Sequence, residues 1–386
     1  MDGNRDASTE RHTPFGYEPE MVQLLTREGD RVDSPQLAWN MDPAEEAALL
    51  RGFYRDMMLI RRLDVEATAL QRHGEIGIWS QLLGQEAAQI GAGRAMRAQD
   101  YVFPTYREHG FAWCKGVDPL ELLELFRGVN RGGWDARETN CAYYTIVIGA
   151  HTLHATGYAM ALQRDGLVGT GDPDRDTAVI AAFGDGATAQ GDVSEAFVFA
   201  ASYHAPVVFF CQNNHWAISE PTDLHLRTPI YQRAAGFGMP GIRVDGNDVL
   251  ATYAVTQAAL QRARDGQGPT LVEAYTYRMG SHTTTDDPTR YRNPDELESW
   301  RARDPLARVE AYLRRGNHVE QDFFDDLDRE ADELGHRLRE GCKAIVTPAP
   351  LSMFDQAYGE MPKELENQRD ELAAYLQSFE TEGSTR

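Results

Sequence analysis

Residues 177–214 read TAVIAAFGDGATAQGDVSEAFVFAASYHAPVVFFCQNN. Thr177–Phe183 is a continuous apolar run, the pattern of a parallel strand buried on both faces. Gly184-Asp185-Gly186 interrupts it with residues that permit a sharp turn. Asp192–His204 carries apolar residues at helical spacing, and Pro206–Cys211 is a second buried-strand run that ends at Gln212-Asn213-Asn214. Strand, turn, helix and strand make one βαβ unit, whose crossover in a parallel sheet is right-handed.

Downstream, Ile242–Val244 reads as a short strand, Asp245–Asp248 as a turn, residues 249–264 as a helix and Leu271–Tyr277 as a further strand. Upstream, Leu49, Leu50, Phe53, Met57, Ile60 and Leu63 recur at three- and four-residue spacing and predict a helix from about Pro43 to Gln71. Residues 84–98, 118–128 and 152–163 read as shorter helices, and 128–140 as a glycine-rich loop. Residues 280–298 have no apolar period and read as a long loop. Residues 305–343 are helical and acidic, and the Pro-rich break at 347–350 precedes a last helical segment. The expected fold is α/β, a mostly parallel sheet flanked by helices. The expected organisation is an arm over 1–42, one domain over 43–345 and a helical tail over 346–386.

The 386 residues suit one large α/β domain with extensions. Sixty acidic against 38 basic residues give a formal charge of −22, which disfavours nucleic acid because phosphate neutralisation needs a basic face. Lysine occurs only at Lys115, Lys343 and Lys363. Such a surface fits adaptation to high salt and equally fits ordinary acidity with arginine-biased codons. Mean hydropathy is −0.51, and no apolar run approaches the ~20 residues of a spanning helix, so no membrane partner is expected. The first forty residues lack an apolar core and carry acids, unlike a signal or transit peptide. Cys114, Cys141, Cys211 and Cys342 form no CxxC pair, which suits a reducing, cytoplasmic setting.

Asp185 and Asn214 follow two strands joined by one crossover, where open parallel sheets bind ligands. A carboxylate and an amide oxygen are hard ligands suited to Mg²⁺, and so small a protein set leaves positions for diphosphate oxygens and water. Gly184 and Gly186 allow close approach to a phosphate, and the helix near Asp192 offers its N-terminus to the same anion. The same residues also suit a helix cap and an Asn turn. Spacing alone leaves both readings open.

Several segments together resemble the α subunits of the E1 component of 2-oxo acid dehydrogenases, the branched-chain enzymes more than the pyruvate enzyme. These are GDGATAQGDVSEAFVFAASYHAPVVFFCQNNHWAIS at 184–219, Tyr106-Arg107-Glu108, IRVDGNDV at 242–249 and EAYTYRMGSHTTTDDPTRYR at 273–292. They lie in collinear order over roughly residues 45–345. The resemblance implies a thiamine diphosphate-binding fold holding only the diphosphate-type domain, with Mg²⁺ bound by Asp185, Asn214 and the Trp216 carbonyl. It implies diphosphate contacts from Tyr106, Arg107, Gly184 and the backbone of Gly186 and Ala187. Ile148 would support the bent cofactor, whose own chemistry the protein positions. His282 would meet the diphosphate and the substrate, and Arg278 would order its loop. Thr283–Thr285 fall where some eukaryotic relatives are phosphorylated, and no regulation is carried over.

The sequence departs from the family at two places. Ile146-Val147 and Ala150-His151 stand where the family often binds K⁺, which puts that ion in doubt. Gln212 replaces a phosphate-binding arginine of branched-chain relatives. The family's pyrimidine-binding glutamate sits on a second α/β domain that the remaining length does not accommodate. An α₂β₂ partnership with an E1 β subunit is therefore expected, with acyl transfer from a 2-oxo acid to a lipoyl-bearing E2. Rival readings are a pyruvate E1 or acetoin dehydrogenase α subunit, and a non-catalytic paralogue. A nicotinamide-binding Rossmann protein is disfavoured, since no GxGxxG follows a strand.

Overall fold

The computed structural model describes residues 21–129, 133–355 and 357–383. Residues 1–20 of the expected arm and part of the 128–140 loop lie outside them. Five parallel strands form the main sheet: β1 (Tyr101–Phe103), β2 (Val179–Gly184), β3 (Val207–Asn213), β4 (Gly241–Asp245) and β5 (Thr270–Tyr275), in spatial order β1-β2-β3-β5-β4. In-register pairs include Phe183 with Cys211 and Gly184 with Gln212, so the two strand ends of the quoted stretch finish level.

Helices lie on both faces. These are α1 (Pro43–Arg72), α2 (Glu86–Arg94), α3 (His109–Cys114), α4 (Pro119–Arg127), α5 (Ala150–Arg164), α6 (Gly191–Tyr203) and α7 (Val249–Arg264). Side chains alternate along a strand. Val179, Ala181, Phe183, Val207, Phe209 and Cys211 therefore share one face and pack with Ala155, Ala159, Val193 and Phe197 of α5 and α6. From the intervening positions, Phe210 meets Phe111 of α3 at a ring separation of 5.6 Å. Each face of the sheet is thereby dry, which accounts for the unbroken apolar runs.

Some expectations need correction. Residues 21–37 are not a loose arm: Val22 bridges Val244 of β4, and the backbone N–H groups of Leu24 and Leu25 donate to Asp248 Oδ2 at 2.7 and 2.6 Å. At the opposite rim of the sheet, Cys141 bridges Val102 of β1. The short strand β1 was not expected from sequence. The loop over 280–298 is shorter than expected, because Pro294–Arg301 is a helix with Asn293 as its N-cap. The acidic region divides into Pro305–Arg315 and Gln321–Ala344.

The chain forms two compact units, Met1–Lys343 and Ala344–Arg386. Within the second, a turn at Pro350–Phe354 precedes a helix over Lys363–Gly383. No helix among the described residues is long and apolar enough to cross a membrane.

Candidate active site

Beyond the carboxyl ends of β2 and β3 lies a cavity of about 480 Å³, lined from seven separate stretches of chain. This volume falls within the range of small-molecule sites. All the expected contact residues line it: Tyr106, Arg107, Ile148, Gly184, Asp185, Gly186, Ala187, Asn214, Trp216, Arg278 and His282. Asp185 opens a 3₁₀ turn over Asp185–Ala189, and that turn, not the start of α6, faces the cavity.

Asp185 and Asn214 are brought together. The Asn214 backbone N–H donates to Asp185 Oδ1 at 3.3 Å, and the Asn214 amide N–H donates to Gln85 Oε1 at 3.1 Å. Thr222 Oγ1 donates to Asp185 Oδ2 at 3.2 Å, and His225 Nε2 lies 3.9 Å from the same oxygen. Asp185 does not cap α6, whose N-terminus has no side-chain cap. Burial raises the Asp185 pKa, against the opposing pull of His225, the Asn214 N–H and Thr222.

Arg107 and Arg278 supply positive charge. They are 5% and 0% exposed, and neither forms an ion pair among the described residues. Arg278 works through neutral oxygens. Nη1 donates to the Trp216 carbonyl at 2.9 Å, and Nη2 donates to the Ile218 carbonyl at 2.7 Å and to Tyr291 Oη at 3.0 Å. Its Nε is buried without a hydrogen-bond partner. Burial first, then Arg107, lowers its pKa to about 10. Buried charges without partners are costly. The pair therefore marks a place for an anion carrying more than one negative charge.

His282 sits between the two guanidinium groups. Arg107 Nη2 lies 3.2 Å and Arg278 Nη1 3.4 Å from His282 Nδ1. Arginine only donates, so Nδ1 accepts and the ring proton of the neutral imidazole resides on Nε2. Burial, Arg107 and Arg278 push the His282 pKa down to about 3. Asp286 Oδ2 accepts from the His282 N–H at 2.9 Å and from Tyr291 Oη at 2.5 Å. Arg278 and Asp286 thus fix both ends of the loop that carries His282.

One part of the wall is apolar: Ile78, Phe126, Ile146 and Ile148, with Ile146 65% and Ile148 36% exposed. Gln85, Glu108, Phe126, Ile78, Thr222 and His225 were not anticipated as parts of the site. Only Glu108 had a signal, since it follows Tyr106-Arg107. The others arrive by chain folding from segments with no motif of their own.

The residues present fit thiamine diphosphate with a divalent ion. Among the described residues, no group of three or more His, Cys, Asp or Glu is placed to hold a metal by itself. A metal at Asp185 and Asn214 would need ligand oxygens, as Mg²⁺ sites that use diphosphates do. Gln85 Nε2, buried and without a hydrogen-bond partner, also lines the cavity.

Fold and site together define an α/β protein whose pocket, at the carboxyl ends of parallel strands, suits an anion held with a divalent cation. Residues 54–336 match the family model of the dehydrogenase E1 component. The chain is 42% identical over 358 residues to the 3-methyl-2-oxobutanoate dehydrogenase subunit alpha of Mycobacterium tuberculosis, covering 92% of this chain and 94% of that protein. It is 37% identical to the pyruvate dehydrogenase E1 component subunit alpha of Acholeplasma laidlawii, over 87% of this chain and 96% of that one. The corresponding Staphylococcus aureus subunit is 34% identical, with 90% and 91% covered. The chain belongs to the dehydrogenase E1 component family, as an α-type subunit of the 2-oxo acid dehydrogenases.

Proposed function

We propose that this chain, with a β subunit in an α₂β₂ assembly, decarboxylates a branched-chain 2-oxo acid and passes the acyl group to a lipoyl-bearing E2. Thiamine diphosphate, when bound, supplies the carbon nucleophile and the electron sink for decarboxylation. Asp185 and Asn214 would hold Mg²⁺ through side-chain oxygens. The Trp216 carbonyl already accepts from Arg278 and has one lone pair left for the ion. Arg107, Tyr106 and the backbone of Gly184–Ala187 would hold the diphosphate. Ile148 would support the bent cofactor from the apolar wall. His282 would act as a neutral donor through Nε2–H, stabilising negative charge on substrate oxygen without taking a proton. Arg278 would keep that imidazole aimed.

The observation that carries this reading is the pair of buried arginines, neither in an ion pair among the described residues, beside the Asp185–Asn214 couple. A branched aliphatic substrate is supported by the apolar wall and by the name of the Mycobacterium tuberculosis relative. The β subunit is supported by exposed apolar residues that line the cavity, because such patches mark protein interfaces. In this reading residues 43–345 form the diphosphate-binding domain and 346–386 an accessory tail. Four free thiols, three of them buried, support a cytoplasmic location. Asp185→Asn tests the reading by calorimetry on the chain co-purified with its β subunit. Affinity for thiamine diphosphate in excess Mg²⁺ should fall about 100-fold or more, ~2.7 kcal/mol, with unchanged circular dichroism. Unchanged affinity refutes the metal assignment.

A further inference from the structure

Gln85 is 0% exposed and stands in the cavity wall, where the reading above gives it no role. It holds the N-cap position of α2, yet its side chain makes no capping bond. Its backbone is pinned on both sides. The Gln85 N–H donates to the Leu82 carbonyl at 2.9 Å, and the Gln89 N–H donates to the Gln85 carbonyl at 3.1 Å. The Gly84 N–H just before it donates to Glu86 Oε2 at 2.9 Å. The side chain therefore starts from a fixed point.

The bonds around Asn214 decide which end of each amide faces which way. The Trp216 N–H needs an acceptor and finds one on the Asn214 side chain at 3.2 Å, so that atom is Oδ1 and Nδ2 occupies the other branch. Nδ2 donates to the Gln85 side chain at 3.1 Å, which makes the accepting atom Oε1. Gln85 Nε2 is what remains, buried and without a hydrogen-bond partner. An unpaired buried donor is destabilising, and one placed in a cavity wall points to an acceptor on a ligand. The Asp185 oxygens do not serve it, since they accept from the Asn214 N–H and from Thr222. The positive end of an N–H dipole is disfavoured beside a cation unless an anionic oxygen lies between them. Arg107 and Arg278 mark the same cavity for such an anion.

We propose that Gln85 contacts the bound diphosphate, its Nε2–H donating to a diphosphate oxygen while its Oε1 holds the Asn214 amide with Oδ1 available to the metal. The inference rests on the thiamine diphosphate reading and deepens it. One neutral side chain serves the anion directly and the cation through Asn214, so Gln85 is a binding residue for the first and a positioning residue for the second.

The test is Gln85→Met, which keeps an unbranched side chain and removes both ends of the amide. Wild type and variant are each co-purified with the β subunit and freed of cofactor. Calorimetry gives the Kd for thiamine diphosphate in excess Mg²⁺, and a Mg²⁺ titration at one fixed concentration of thiamine diphosphate gives the half-saturating metal concentration. Hydrogen bonds to charged groups are among the stronger ones, so the Kd should rise about 10- to 100-fold. The half-saturating Mg²⁺ concentration should rise as well, because the Asn214 amide is no longer held. The variant exchanges one unpaired donor, Gln85 Nε2, for another, Asn214 Nδ2, so the cofactor-free Tm should fall by less than about 3 °C. A larger fall would mark a merely structural residue and overturn the inference. A Kd within twofold of wild type, or an unmoved Mg²⁺ half-saturation, overturns it too. Gln85→Leu carries the same expectations if Gln85→Met does not fold. Failure of the wild-type complex to bind thiamine diphosphate with Mg²⁺ overturns the underlying reading, and the inference with it.

Discussion

Gly186→Ala probes the site through sterics alone. A Cβ built on Gly186 meets Ala217 Cβ at 2.9 Å, whereas carbon atoms rest at about 3.5–4.0 Å. The turn after β2 and the segment bearing Trp216 and Ala217 must then separate by roughly 0.6–1.1 Å. Ala217 has no flexible side chain to yield, so the shift falls on backbone. Overpacking of this size costs about 1–3 kcal/mol. Asp185 adjoins one moving segment and Trp216 the other, so most of the cost should appear in the ligated complex. The expected result is a 10- to 100-fold rise in the Kd for thiamine diphosphate with Mg²⁺, about 1.4–2.7 kcal/mol. Calorimetry on the chain co-purified with its β subunit measures it, and a Tm change under about 3 °C would show that the core is intact. A Kd within twofold of wild type would refute the claim that these two segments jointly shape the site.

Two further outcomes are expected. Asp64 accepts from Trp79 Nε1 at 2.7 Å and from the Leu82 and Leu83 N–H groups at 3.1 and 3.2 Å. Asp64→Ala orphans two buried donors and one half-buried one, at about 3 kcal/mol or more in total, and should lower Tm by at least about 5 °C; a change under 1 °C contradicts this. His282 has its pKa lowered to about 3, below the unfolded value, so its stabilising contribution is full above pH ~6.5 and is lost as pH falls towards 3. Without cofactor, the Tm advantage of wild type over His282→Gln should shrink as pH drops below 6.5, and an advantage that grows would refute the neutral assignment.

What was legible in the sequence follows from where order comes from. Strands β2, β3 and β5 are buried on both faces and wrote themselves as apolar runs. Asp185 and Asn214 were legible because each sits directly after such a strand. Strand β1 has three residues, too few to establish a period. The helix Pro294–Arg301 buries only Trp300 and so shows no apolar stripe. Residues 21–37 gain their order from bonds to the distant Asp248 and to β4, which no local pattern encodes. The same holds in the site: Gln85 and Phe126 reach the cavity only through the fold. Glu108 was quoted with its neighbours, yet its place in the wall depends on Gln212 donating to it, a contact across 104 positions.

The main sheet is finished at both rims. Val22 occupies part of the open side of β4, Cys141 part of the open side of β1, and β1 itself is short. Unpaired strand edges are templates on which further copies of a chain can add, the first step towards fibrillar aggregates. With both edges brief and partly occupied, such growth has no long ladder to extend, and association is directed to side-chain surfaces, where the choice of neighbour is specific.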